Sequence, residues 1–323
     1  MLYPLTFRPI FKERIWGGRK LQQLYEKALP PSVPIGESWE ISDRPGDVSV
    51  IANGPLEGRT LRWLMENHAA DLLGTAKPIK GRFPLLIKIL DAEEILSVQV
   101  HPPAAQAQEL GGEPKTELWY VVDAHPMAEL YVGLKSETTR AAFERRVDAG
   151  TVADCLHRVR VKPGDAMFLP SGRVHAIGGG VVIFEVQQNS DTTYRVFDWN
   201  RTDATGKPRD LHRRESLASI DFNDFEPGLV SSACCRIGPV KMCPLLADPL
   251  FKINHVEVPA GEPMSLQEDR SHIIAVIKGN LTIEHPVDTV SLRPGQFCLI
   301  AANLANAVLK GETTVSFLEI SPG

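Results

Sequence analysis

The chain predicts a mainly β protein: two small β-barrel (jelly-roll) modules with a few peripheral α-helices. Three observations predict this. Short runs rich in β-branched and aromatic residues recur along the chain, and many of its 25 glycines and 25 prolines fall between them. Stretches with helical spacing are few. One β-pattern also occurs twice: Val161-Lys-Pro-Gly164 leads into Asp-Ala-Met-Phe-Leu-Pro170, and Leu292-Arg-Pro-Gly295 leads into Gln-Phe-Cys-Leu-Ile-Ala301. Many short strands separated by close turns argue for sandwiches or barrels.

The strands follow from composition. Residues 48–52, 85–90, 96–100, 118–122 and 181–187 form a first set, and 251–258, 272–277, 281–284, 297–301 and 315–320 a second. Three helices are expected. Residues 60–73 carry Leu61, Leu64, Met65 and Leu72 at helical spacing and stop at Gly74. Residues 136–147 begin at Ser136, a capping residue type, and end near Gly150; 211–220 is a shorter third. Pro239, Pro244 and Pro249 punctuate the join between the modules. This places a metal-binding catalytic domain at 1–235 and a degenerate, metal-free β domain at 236–323, since the second pattern lacks a histidine where the first has His175.

Composition narrows the function. With 323 residues and 43% hydrophobic content the chain can bury a sizeable core. A net charge of −5 and the absence of long basic runs exclude a nucleic-acid partner. No apolar run approaches the roughly 18 residues of a spanning helix, and the first eight residues lack a signal-peptide pattern, so a cytoplasmic protein with no membrane partner is expected. The oligomeric state is not readable. Five cysteines without a C-x-x-C pair are expected to be free thiols of a reducing compartment.

The chemistry concentrates in three segments: Ser97-Val-Gln99-Val-His101-Pro, Lys115-Thr-Glu117, and Gly164-x5-Pro170-x-Gly172-x2-His175. Gln99 and His101 are two apart, so on a strand they share a face. His175 follows a Pro-Ser-Gly turn that can aim its ring. Two imidazoles, a carboxylate and an amide suit one divalent ion per chain, Zn²⁺ or another such metal, with a coordination position left open for catalysis. The remaining seven histidines lack such a context and read as surface or packing residues.

These motifs resemble those of type I phosphomannose isomerases of the short bacterial form, within the cupin superfamily. Glu185-Val-Gln-Gln-Asn-Ser-Asp191-Thr-Thr-Tyr-Arg195 and the N-terminal Phe11-Lys-Glu-Arg-Ile-Trp-Gly-Gly-Arg-Lys-Leu and Gly36-Glu-Ser-Trp-Glu-Ile-Ser extend the likeness over roughly residues 5–215. The resemblance implies a zinc enzyme that interconverts mannose 6-phosphate and fructose 6-phosphate through a cis-enediol. It implies metal ligands at Gln99, His101, Glu117 and His175, and an active-site arginine at Arg195. It further implies a lysine at Lys115, a substrate-binding serine at Ser97 and acids at Glu185 and Asp191. Longer family members carry a histidine directly before that lysine, where this chain has Pro114. Two other readings stand beside it: a non-catalytic sugar-phosphate sensor and a cupin dioxygenase. The charged set Lys115, Arg195 and Asp191 is too polar for the aromatic pocket that a dioxygenase uses.

The residues themselves suggest roles. An isomerase needs a base beside C1 and C2 and an electrophile for the developing enediolate. Arg195 suits electrostatics, unless it is spent on a salt bridge to an acid such as Asp198. Lys115 can shuttle a proton if burial beside the metal lowers its pKa. Glu185, among apolar neighbours, should have a raised pKa; Glu185, Asp191 and a metal-bound water are all candidate bases. Lys88 and Arg201 are candidate phosphate contacts.

Overall fold

The structure is a computed structural model and describes residues 2–202, 206–266, 269–304 and 307–323. Strands dominate, as expected. Before residue 235 six strands pair in the order Ala166–Leu169, Glu117–Ala124, Val181–Gln188, Leu85–Ala92, Ile10–Gly18 and Ile35–Ile41. A second sheet faces them, in the order Leu156–Arg160, Glu129–Leu134, His175–Ile177, Val98–Val100 and Tyr194–Phe197. The later part repeats the plan. One sheet runs Cys235–Ile237, Val240–Ala247, Phe251–Val258, Val315–Pro322, His272–Lys278 and Phe297–Ile300, and the other runs Met264–Ser265, Val308–Lys310, Leu281–Glu284 and Val290–Leu292. Among the described residues no multi-stranded sheet draws strands from both sides of residue 235. The two repeated turns are alike in backbone, with Gly164 at φ +96° and Gly295 at φ +75°, a region that favours glycine.

Strands Val181–Gln188 and Leu85–Ala92 are buried along their whole length. They therefore read as near-continuous apolar runs, not as alternating ones. Val181, Ile183, Leu90 and Ala92 face into the first barrel with Trp119, Val121 and Ile177. Val182, Phe184, Val186, Ile87 and Ile89 face the other way and join a core that includes the second barrel and the 61–73 helices. Phe184 meets Phe297 at 5.2 Å between ring centroids, and Tyr120 meets His255 at 5.8 Å. Leu5 exchanges backbone hydrogen bonds with Leu299 at 2.9 and 2.8 Å, so the N-terminal segment also lies on the second barrel.

The helices differ from expectation in detail. The 60–73 segment is two helices, Leu61–Asn67 and Ala69–Leu73, broken at His68 (φ −139°). Thr60 caps the first by accepting from Trp63 N at 3.0 Å. The next expected helix starts later, at Arg140, and is capped by Thr139. Ser136 cannot cap it, because Glu137 takes a left-handed turn at φ +66° and Ser136 N donates to Glu226. The third is Arg213–Ser219. Lys20–Tyr25 and Ala104–Ala107 are unanticipated helices, too short to show a period. No described helix is long and apolar enough to cross a membrane.

The thiol expectation is corrected at one pair. Cys234 and Cys243 form a disulfide, while Cys155, Cys235 and Cys298 are free. The hairpin register explains it: Cys235 pairs with Met242, which sets Cys234 directly opposite Cys243 at a Cα separation of 4.1 Å.

Candidate metal centre and active-site cavity

Three neighbouring strands assemble the centre. Gln99 sits between His175 and Arg195, paired with each across the small sheet. His101 follows that strand directly, and Glu117 opens a strand of the facing sheet opposite Leu169. The turn before His175 requires Gly172 at φ +97°. His101, Glu117 and His175 are each 1% exposed or less, and their donor atoms lie within 4.8 Å of one another.

Backbone carbonyls set the tautomers. His101 Nδ1 donates to Thr192 O at 2.8 Å, and His175 Nδ1 donates to Arg173 O at 2.9 Å. A carbonyl can only accept, so each Nε2 keeps its lone pair and faces Glu117. Burial lowers the pKa of both rings, His175 to about 3 even against the pull of Glu117. Burial would raise Glu117, but the Lys115 ammonium beside it outweighs that and holds the carboxyl well below its ordinary value. His175 Nε2 is 3.5 Å from one carboxylate oxygen and His101 Nε2 is 3.7 Å from the other, too far for hydrogen bonds. His101 Nε2 and both Glu117 oxygens lack an aligned hydrogen-bond partner among the described residues. Buried lone pairs converging without a proton between them repel one another, and a cation relieves this. Their donor set, two neutral imidazoles and a carboxylate, is that of a metal centre. Second-sphere carbonyls hold the rings as such centres require. Gln99 Nε2 lies 3.2 Å from His175 Nε2; turning that amide over presents its oxygen to the same point.

A cavity of about 290 Å³ adjoins this group. Ser97, Gln99, Lys115, Glu185, Asp191 and Arg195 all line it, so every remaining predicted site residue is brought to one place. Lys115 is 5% exposed and its Nζ is 3.0 Å from Glu117. A proton shuttle here would need a lowered pKa, and the direction is upward. Burial does push it down, but the carboxylates of Glu117 and Glu185 outweigh that and raise it, so it is an ammonium. Glu185 is raised, as expected, by burial and by the charge of Glu117, against Lys115 and Lys88. It accepts from Trp119 Nε1 at 2.9 Å and lies 3.3 Å from Lys88 Nζ. Asp191 is exposed and Ser97 is buried.

Arg195 does not pair with Asp198. That acid is taken by Arg201 at 2.6 Å and by Arg209 at 2.7 Å. Arg195 instead donates to Asp210 O at 2.8 Å, and its Nε has no partner among the described residues. Of the two candidate phosphate contacts, Lys88 lines the cavity and Arg201 does not. Arg201 is bound up with Asp198 and with Ile95 O at 2.6 Å. Sequence reasoning missed Arg14, Glu37 and Arg209, which also line the cavity. Glu37 accepts from Trp39 Nε1 at 2.6 Å and Arg14 Nε at 2.7 Å. Burial would raise its pKa, but Lys88 and Arg14 bring it down to about 2. Its sequence signal was its place in the Gly36-Glu-Ser-Trp-Glu-Ile-Ser segment, which carries two acids. His212, read as a surface or packing residue, accepts from Arg195 N at 3.1 Å through Nδ1 and so steadies the arginine's strand.

Comparison with known proteins points the same way. Residues 5–144 match the family model for the type I phosphomannose isomerase catalytic domain. Over 316 residues the chain is 34% identical to the mannose-6-phosphate isomerase of Streptococcus mutans serotype c, covering 98% of each chain. Over 220 residues it is 46% identical to the mannose-6-phosphate isomerase ManA of Bacillus subtilis, covering 68% of each. The crystal structure of the mannose 6-phosphate isomerase from Bacillus subtilis matches it with a TM-score of 0.88 at 32% identity, covering 98% of this chain and 99% of that one. With a buried His101–Glu117–His175 group at the base of a polar cavity and relatives matched end to end, the chain belongs to the type I phosphomannose isomerase family.

Proposed function

We propose that the chain interconverts mannose 6-phosphate and fructose 6-phosphate through a cis-enediol. Zn²⁺ would be held by His101, Glu117 and His175, with Gln99 as a fourth ligand. The observation that carries this is the convergence of unprotonated His101 and His175 Nε2 atoms on an ionised, buried Glu117 beside a cationic cavity. When bound, the ion supplies Lewis acidity toward the oxygens at C1 and C2 of an open-chain sugar.

The chain's own residues do the rest. Lys115, an ammonium held between Glu117 and Glu185, donates hydrogen bonds to those sugar oxygens and opposes charge that develops there. Glu185 moves the proton between C1 and C2. Its raised pKa suits a base that must also return the proton, and Trp119 and Lys88 fix its position. Ser97 orients the hydroxyls. Arg195 and Arg209 stand where this cavity meets a shallower basic depression with Lys207, which supports a phosphate seat there. Asp191, exposed beside them, contacts the sugar and not the phosphate, which its charge would repel. Catalysis belongs to residues 1–235, and 236–323 serve as a supporting domain.

A coupled assay with mannose 6-phosphate tests the reading on protein stripped with chelator and resupplied with Zn²⁺. Turnover should vanish and return. Metal binding without turnover sinks the isomerase in favour of a sugar-phosphate sensor.

A further inference from the structure

The second barrel repeats the strand order of the first, and with it the register of three polar positions. Glu117 opens its strand opposite Leu169, and His272 opens its strand opposite Ile300. Further along, Trp119 faces Glu185, and Ile274 faces Glu319. Glu185 in turn faces Lys88, and Glu319 faces Asn254. His272, Glu319 and Asn254 therefore stand where the first barrel has Glu117, Glu185 and Lys88. The opposite wall has changed character. His175 pairs with Val132 and Gln99, whereas Val308 pairs with Glu284 and Ser265.

What persists is the hollow. A cavity of about 420 Å³ lies between the two sheets of the second barrel, within the range of small-molecule sites. Glu319 and Asn254, register counterparts of two residues that line the first cavity, line this one as well. Glu319 lies 2.9 Å from His272 Nδ1 and accepts from Asn254 Nδ2 at 3.1 Å. Burial would raise its pKa, but these two neighbours lower it and keep the carboxylate ionised. Each carboxylate oxygen has a further lone pair to offer. Val240, Met242, Met264 and Leu266 form apolar walls, and methionines adapt readily to a ligand's shape. Among the described residues no lysine or arginine lines this cavity, in contrast to the first.

We propose that the second barrel is a binding chamber in its own right for a small amphipathic cation: a primary amine whose ammonium meets Glu319 and whose apolar body lies against Met242, Met264 and Leu266. The Glu319 carboxylate disfavours a sugar phosphate, since an anion would be buried against a like charge. The chamber thus differs in ligand class from the catalytic cavity, although it occupies the equivalent place in its barrel.

Calorimetry on the full-length protein with cyclohexylamine, cyclohexanol and cyclohexanecarboxylate tests this. The amine should bind once per chain, whether or not the protein has been treated with chelator. The alcohol and the carboxylate should bind at least about tenfold more weakly, the scale of one charge-assisted hydrogen bond. Glu319→Gln should weaken the amine by about tenfold or more and leave mannose 6-phosphate turnover unchanged. Leu266→Trp should block the amine by filling the chamber while keeping the carboxylate, which covers the case in which Glu319→Gln does not fold. The proposal falls if the wild type does not bind the amine, if the alcohol or the carboxylate binds equally well, or if both variants bind the amine as the wild type does.

Discussion

At the residue scale the centre rests on hydrogen bonds that fix which nitrogen is free. His175 donates through Nδ1 to Arg173 O, and its neighbours leave Nε2 a single direction to face. His175→Ala removes one of two imidazoles from a small ligand set. Metal content by atomic emission should fall to near zero, and activity with it; a variant that keeps its metal would remove His175 from the ligand set. The Arg195 guanidinium donates to Asp210 O, and only its backbone pairs with Gln99, so Arg195→Ala should keep the metal and lose about 100-fold in kcat, the usual cost of one electrostatic group at a reacting centre. Full activity in that variant would exclude Arg195 from the mechanism.

At the element scale the buried ions tie strands together. Glu37, on Ile35–Ile41, is held by Arg14 from Ile10–Gly18 and lies 3.7 Å from Lys88 on Leu85–Ala92. Its pKa falls from 4.5 to about 2. A depressed carboxyl stabilises the fold above its unfolded pKa and loses that contribution as pH falls through the folded value. At about 1.36 kcal/mol per pH unit the effect is on the order of 3 kcal/mol. Wild type should therefore exceed Glu37→Gln in unfolding free energy at pH 7, and the gap should close between about pH 4.5 and 2. Denaturant titrations across that range measure it, and a gap that does not change with pH would show that Glu37 acts through packing alone.

At the scale of the whole molecule the outer face of the first barrel's six-stranded sheet is not a surface. Phe184 is fully buried between Tyr25 and Phe297, at 6.0 and 5.2 Å. One core cluster runs from the N-terminal residues through this face into the second barrel. Phe184→Ala should cost about 3–5 kcal/mol. Wild type should unfold in one cooperative transition despite its two barrels, since separating them would expose that apolar face. Two resolved transitions in urea, with only one moved by Phe184→Ala, would contradict the shared core.

Much of this was legible because strands and metal ligands are local in character. Runs of β-branched residues, the paired Pro-Gly turns and the Gln99–His101 spacing each carry their meaning within a few residues. The resemblance to known isomerases added Lys115, Glu185, Asp191 and Arg195 as site positions, which spacing alone did not single out. Helix starts were less legible, since Ser136 and Thr139 are equally good cap types and only the turn at Glu137 decides between them. Tertiary structure alone decided which charges meet. Glu37 and Arg14 reach the cavity through strand pairing across the sheet, Asp198 is claimed by Arg201 and Arg209 and so leaves Arg195 to bond Asp210 O, and Glu117 with Glu185 keeps Lys115 charged against its burial. The Cys234–Cys243 bond and the register match of His272 and Glu319 with Glu117 and Glu185 belong to the same class. Distances between residues far apart in the chain set each of these, and the pattern along the chain does not encode them.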